Sequence, residues 1–434
     1  MSRMRFRARL AIGLVALLAV GTIYATSFSN YPIIDRKHSV LADADAANFK
    51  LVVEEFGLAH RFGNEYQAHN RRIEDNAQKH KIHHILYAVV AHPIYLGLRA
   101  LERLGGGTGE RAVYAVNAVF TCVNIVLLAF LIRGANPNRN PIWPFLLLYA
   151  FSLSTWLYAS VPESWPFSAT LALAFILYLR RPASSPLAAA ALLGVIMLNN
   201  FTLGPLLVLV WIRQLAEEPK WGRFIVRAAA AGVTAVGVWL GGLLVFSFWD
   251  ASLRPDNFVR YTLWFRQFVG ANLPPTSPYV WKSVLTNLYV NAFVSNQPDP
   301  SIPQEALRAT FGHSALGTVA VLAIVLLGIV VGVRVLKYTR DRIAETGWRR
   351  ALGSTPDLWP AVYAVTMVFV TIALFYPSGF LYSTIAVPLI VAAVARHLHL
   401  KATPDRVLLA ACLVLVVANN IQQVMIFRRA LAGM

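Results

Sequence analysis

Residues 187–213 read LAAAALLGVIMLNNFTLGPLLVLVWIR, and the fold of the whole chain turns on whether this run crosses a membrane once or twice. Its 27 residues exceed the roughly 20 that span a bilayer as one helix, and Asn199, Asn200 and Pro205 interrupt it near the middle. One long span would send every later loop to the opposite side. A hairpin of two short helices, with the paired asparagines at its apex, returns the chain to the side it came from. A second run, 84–104, is also ambiguous. It is apolar only over about 85–98 and contains Pro93, which reads as an interfacial or re-entrant helix and not a span.

Charge decides both cases, because Lys and Arg in short loops stay cytoplasmic. With 187–213 as a hairpin and 84–104 on the outer surface, the inner segments hold 21 basic and 6 acidic residues, and the outer ones 18 and 15. Changing either reading puts the six basic residues from Arg334 to Arg350 outside. The hairpin reading is therefore preferred.

Working outward, the remaining apolar runs lie near 10–28, 111–132, 142–160, 165–180, 228–248, 314–335, 358–376, 380–396 and 406–426. The expected fold is an all-α polytopic membrane protein with about 11 transmembrane helices, in a range of 10–13. It is one integral membrane domain over 1–434, N-terminus cytoplasmic and C-terminus outside. The first span (10–28) follows the basic stretch MSRMRFRARL and reads as an uncleaved signal anchor. An outer loop with surface helices covers 29–110, spans two to seven fall in 111–248, a second outer segment covers 249–313, and four spans complete 314–434.

Composition agrees. The chain of 434 residues is 57% hydrophobic and only 14% charged, with a mean hydropathy of +0.54, whereas a soluble domain carries about 25% charge. The net charge of +18 sits in short loops between apolar runs, as topology determinants do, so no nucleic-acid partner is expected. Cys122 and Cys412 both fall inside apolar runs, which leaves no disulfide framework and no thiolate pair for a metal.

The candidate chemistry gathers outside. Residues 41–62, LADADAANFKLVVEEFGLAHRF, set Asp43 and Asp45 ahead of an amphipathic pattern at Phe49, Val52, Val53, Phe56 and Ala59. Asp45 suits the N-cap of that helix. A carboxylate held at the membrane surface can act as a general base toward a hydroxyl or as an oxygen ligand for a divalent cation. His83 and His84 open the next helix, where imidazoles suit a lipid phosphate at headgroup depth or the polar start of a helix. Glu163 lies in the tight turn VPESWP, facing either water or a ligand. Asn199 and Asn200 can cap the broken helix ends or bind a sugar or phosphate. Arg254, Arg260, Arg266 and Lys282 alternate with Trp249, Tyr261, Trp264, Tyr279, Trp281 and Tyr289. That mixture suits a sugar phosphate and equally an interfacial aromatic belt.

Taken together, the chain resembles the GT-C superfamily of polyprenyl-phosphate-sugar-dependent glycosyltransferases, in particular the bacterial relatives of protein mannosyltransferases and the lipid A aminoarabinose transferase. The resemblance covers roughly 10–400, by hydropathy and position more than by identities. It rests on a first span followed by an acidic residue with an aromatic four positions on (Asp45 to Phe49, in ADADAANF), then HHILY leading to HPIY. VPESWP, MLNNFTLGP and the late FYPSGFLYSTIAVPLI, which holds Tyr382, complete it.

The resemblance implies a membrane enzyme, in a bacterial inner membrane, with an extracytoplasmic active site. A polyprenyl-phosphate-linked sugar is the donor partner. An outer-loop Asp, Asp45 or Asp43, deprotonates an acceptor hydroxyl that attacks C1 with inversion. His83, His84, Glu163, Asn199, Asn200, Arg254, Arg260, Arg266 and Tyr382 are the expected substrate-binding residues. Some family members need a divalent cation, Mg or Mn, and others do not; Asp43 and Asp45 are the ligands if one is used. Sugar and acceptor stay open. Two rival classes were weighed. An O-antigen ligase or polymerase would use Arg254, Arg260, Arg266 and His313, but places its main loop late in the chain. A lipid-linked-sugar flippase or transporter would place charges within its spans, and these spans hold almost none.

Overall fold

The computed structural model describes residues 3–30, 53, 84–134, 140–249, 256, 259, 277–294, 314–374 and 379–432. Among the described residues every regular element is helical. In chain order these are α1 (Arg3–Ser27), α2 (Ile85–Leu104), α3 (Ala112–Gly134), α4 (Trp143–Ala150), α5 (Leu153–Ala159), α6 (Trp165–Leu179) and α7 (Pro186–Met197). After a 3-10 turn at Phe201–Leu206 come α8 (Leu207–Glu217), α9 (Trp221–Trp249) and α10 (Pro278–Leu285). The last five are α11 (Ala315–Thr346), α12 (Trp348–Gly353), α13 (Trp359–Leu374), α14 (Gly379–His397) and α15 (Thr403–Ala432). By length and composition, five of the described helices are apolar enough to cross a membrane, namely α2, α3, α9, α11 and α15. Shorter apolar helices accompany them. The described residues are those of an all-helical membrane protein.

The decisive hairpin breaks where its asparagines stand. Pro186 opens α7 at a position where its missing N–H costs nothing, and the Ser185 hydroxyl accepts from Ala188 N. At the apex, Asn200 Oδ1 accepts from the backbone N–H and the hydroxyl of Thr202 at 3.0 and 2.6 Å, which starts the turn leading into α8. The hairpin then packs on α9 through a small residue, as membrane helices do where backbones approach closely. A Cβ on Gly194 would stand 2.4 Å from the Ala235 carbonyl oxygen and 2.8 Å from Val238 Cβ. We expect Gly194→Val to lower the thermal unfolding midpoint of the purified protein by the equivalent of about 2–3 kcal/mol of overpacking. An unchanged midpoint would mean that α7 and α9 do not meet there.

Two of the expected segments carry finer structure than their hydropathy shows. The run 142–160, read as one span, is two helices, because Ser152 ends the α4 geometry and its hydroxyl donates to Tyr149 O and meets Thr155 Oγ. The Phe151 carbonyl freed by this break accepts from Asn420 Nδ2 of α15 at 2.7 Å, and the same amide reaches Phe293 O at 2.7 Å. Backbone left unpaired at membrane depth is tolerated only when protein groups re-satisfy it in this way. The second concerns 249–313, read as a second outer segment, of which 256, 259 and 277–294 are described. Residues 278–293 are helical with a π-helical turn at Thr286–Val290. They bury Val280, Val284, Leu288 and Phe293 in the bundle, and Tyr289 donates to Ile324 O at 2.7 Å.

The helices deliver two sets of residues to opposite ends. At one end, cations meet helix C-termini. Arg213 donates to Leu179 O and Pro182 O at 2.9 and 3.0 Å, Arg180 to Leu131 O at 2.9 Å, and Arg334 to His397 O at 3.0 Å. Such pairings suit the unsatisfied carbonyls and negative dipole of a helix end. Arg334 also grips Asp405 with both terminal nitrogens. This basic end collects most of the clusters that the charge bias assigns to the cytoplasm. At the other end lie the end of α1, the start of α2, the turn between α5 and α6, and the hairpin apex.

Candidate functional site

The opposite end holds a buried polar patch built from five pieces of chain. Its hub is Asn117 of α3, fully buried. The Asn117 Nδ2 group donates to the carbonyls of Tyr158, Val161 and Glu163 at 3.1, 2.6 and 2.6 Å. It thereby pins the turn between α5 and α6 from below. Tyr87 of α2 donates its hydroxyl to Asn117 Oδ1 at 3.1 Å, and its ring packs near Phe120 and Phe167.

On this framework stand four of the residues singled out in the sequence. Glu163 is 1% exposed, and its Oε1 accepts from Ser164 N at 2.9 Å. His84, at the N-cap of α2, is 8% exposed and meets Trp165 edge to face with ring centroids 6.2 Å apart. Asn199 Nδ2 donates to Ser168 Oγ at 2.9 Å, and Ser168 Oγ donates to Ser164 O at 3.2 Å. The hairpin is tied to the start of α2 by Ile85 N donating to Leu198 O at 3.1 Å. Asn200, as described, caps the turn with its Oδ1.

The patch keeps spare hydrogen-bonding capacity. Among the described residues, Asn199 Oδ1, Asn200 Nδ2 and Ser164 Oγ are buried without a hydrogen-bond partner. Each such atom costs about 1–3 kcal/mol when left unmet. An acceptor, a donor and a hydroxyl in one neighbourhood are the groups that a polyhydroxylated or phosphorylated ligand would engage.

Comparison with protein-family models, with curated proteins and with solved structures returns no match. The site is therefore argued from its own chemistry.

The rest of the expected site falls elsewhere. Asp43, Asp45, His83, Arg254, Arg260 and Arg266 lie outside the described residues, and so does His313. Tyr382 stands in the first turn of α14, with its side chain outside the description. Val53, from the apolar face of the amphipathic pattern, is buried, and its carbonyl accepts from His92 Nδ1 at 2.7 Å. Among the described residues, no three His, Cys, Asp or Glu side chains come together to hold a metal. Asn117, Tyr87 and Ser168 were missed in the sequence. The available signal was an amide inside an apolar run, AVYAVNAVF, since a polar side chain within a span marks a partner or a function.

Proposed function

We propose that the chain is a membrane glycosyltransferase of the GT-C type. It would transfer a sugar from a polyprenyl-phosphate donor to an acceptor hydroxyl outside the cytoplasm. The observation that carries this reading is the convergence of His84, Glu163, Asn199 and Asn200 on one buried patch with unmet hydrogen-bonding atoms. Intramembrane polar groups are costly and mark functional sites by default.

The acidic pair of this proposal, Asp43 and Asp45, rests on the resemblance and lies outside the described residues.

In this mechanism Asp45 takes the proton of the acceptor hydroxyl, whose oxygen attacks C1 of the donor sugar from the face opposite the phosphate. The C1–O bond breaks with inversion, and the electron pair leaves with the polyprenyl phosphate. Glu163, His84 and the two asparagines supply the polar wall that orients the sugar. Arg254, Arg260 and Arg266 would neutralise the departing phosphate. The eleven-span topology, with the patch extracytoplasmic, belongs to the same proposal.

The test is an assay of purified protein with a polyprenyl-phosphate-linked sugar, scored for released polyprenyl phosphate. Release above the uncatalysed rate is expected with at least one common sugar. Failure to bind any polyprenyl-phosphate sugar, in protein shown to be folded, would remove the proposal.

A further inference from the structure

The basic end contains a cavity that the proposed transfer reaction does not use. A cavity of about 250 Å³ opens where α11, α12 and the start of α13 meet, lined by Tyr338, Arg342, Arg350, Ser354, Thr355 and Asp357 among others. Its electrostatics are unbalanced. Asp357 is gripped by two arginines, Arg180 at 3.1 Å and Arg396 at 3.3 Å. Arg396 and Arg342 both lie over the ring of Tyr338, at 5.1 and 5.6 Å from its centroid. Both also donate to its hydroxyl, at 3.2 and 3.3 Å. Arg342 has Glu345 at 3.2 Å, whereas no carboxylate among the described residues pairs with Arg350. Arg180 and Arg396 are thus taken up by Asp357, while Arg342 and Arg350 line the cavity, reached by solvent, with Glu345 as the one carboxylate paired with either among the described residues.

We propose that this cavity binds a phosphate group, supplied either by the headgroup of an anionic lipid or by a free phosphate in solution. Arg342 and Arg350 are the charged ligands, and the Ser354 and Thr355 hydroxyls are further donors on the wall. Guanidinium groups match phosphate oxygens in pairs. The cavity falls below the roughly 300–1,000 Å³ of pockets for drug-sized molecules, which suits a phosphate group and little more. The site is independent of the glycosyltransferase proposal, because it lies at the end of the bundle away from the Asn117 patch.

The experiment uses the full chain in a neutral detergent, at fixed ionic strength with chloride as the balancing anion. One arm titrates inorganic phosphate and follows the unfolding midpoint. The other reconstitutes the protein in vesicles of phosphatidylcholine with or without phosphatidylglycerol and measures retained phosphatidylglycerol by mass spectrometry after extraction. Saturable stabilisation by phosphate assigns the soluble source, and selective retention of phosphatidylglycerol assigns the lipid source. Either supports the site. Arg350→Gln, which disturbs no described ion pair, and Arg342→Gln with Arg350→Gln should each weaken that binding at least about tenfold. The midpoint of Arg350→Gln without ligand should match the wild type. Binding of neither probe, or binding unchanged in both variants, overturns the proposal.

Discussion

Under the proposed glycosyltransferase mechanism, Asp45→Asn should abolish most sugar transfer while leaving expression and donor binding intact. A positioned general base contributes about 10²–10⁴ in rate, so the loss should be at least about a hundredfold. Asn caps a helix nearly as well as Asp, so the substitution separates proton transfer from any capping role at the start of the 41–62 pattern. Asp45 is preferred over Asp43 because Phe49 follows it by four residues, the spacing on which the GT-C resemblance rests. Asp43→Asn is the parallel measurement, and a larger loss there would exchange the roles of the two carboxylates. Wild-type transfer by both single variants and by the double variant would end the base mechanism for this loop.

Asn117→Leu should be the most destabilising single change at the patch. The Asn117 amide serves three carbonyls of the turn between α5 and α6 and accepts from Tyr87. Leucine is nearly the same size and removes all four of these hydrogen bonds. At about 1–3 kcal/mol for each buried group that loses its bond, and with partial relaxation of the turn, the expected loss is about 4 kcal/mol. The measurement is the unfolding midpoint in detergent, with yield from the membrane as a second readout. Because the same amide holds Glu163 O, protein that does fold should bind donor more weakly than wild type. A midpoint equal to wild type would show that the turn is held by something other than Asn117.

Hydropathy and charge were enough to anticipate most of the helices. An apolar run of membrane length has few alternatives to a helix, since its backbone must pair internally. The interruption of 187–213 was legible because Asn199, Asn200 and Pro205 stand together in it. The breaks and insertions that escaped notice depend on distant partners. The run 142–160 contains no Gly and no Pro other than Pro144 near its start, yet it breaks at Ser152. The liberated Phe151 carbonyl finds Asn420, which lies 269 residues away in sequence. Likewise, the helix at 278–293 is mixed enough in composition to read as an outer loop, and its burial follows from contacts with α11 and α14.

The sequence by itself determined the class of the protein, a helical membrane chain with a strong charge bias between loops, and it picked out His84, Glu163, Asn199 and Asn200 one at a time. Each of those choices rested on a local irregularity: a charge in a tight turn, an amide pair in an apolar run, an imidazole at a helix start. That the four share one patch was decided only by the tertiary structure, because their assembly depends on Asn117 reaching three carbonyls from another helix and on Ile85 bonding to Leu198. The same holds for the arginines of the basic end. In sequence they are topology signals in separate loops, and only packing brings Arg180, Arg342, Arg350 and Arg396 around Asp357 and Tyr338. Local pattern reports on backbone pairing and burial, which are short-range requirements, whereas a site depends on side chains that the chain brings together from far apart.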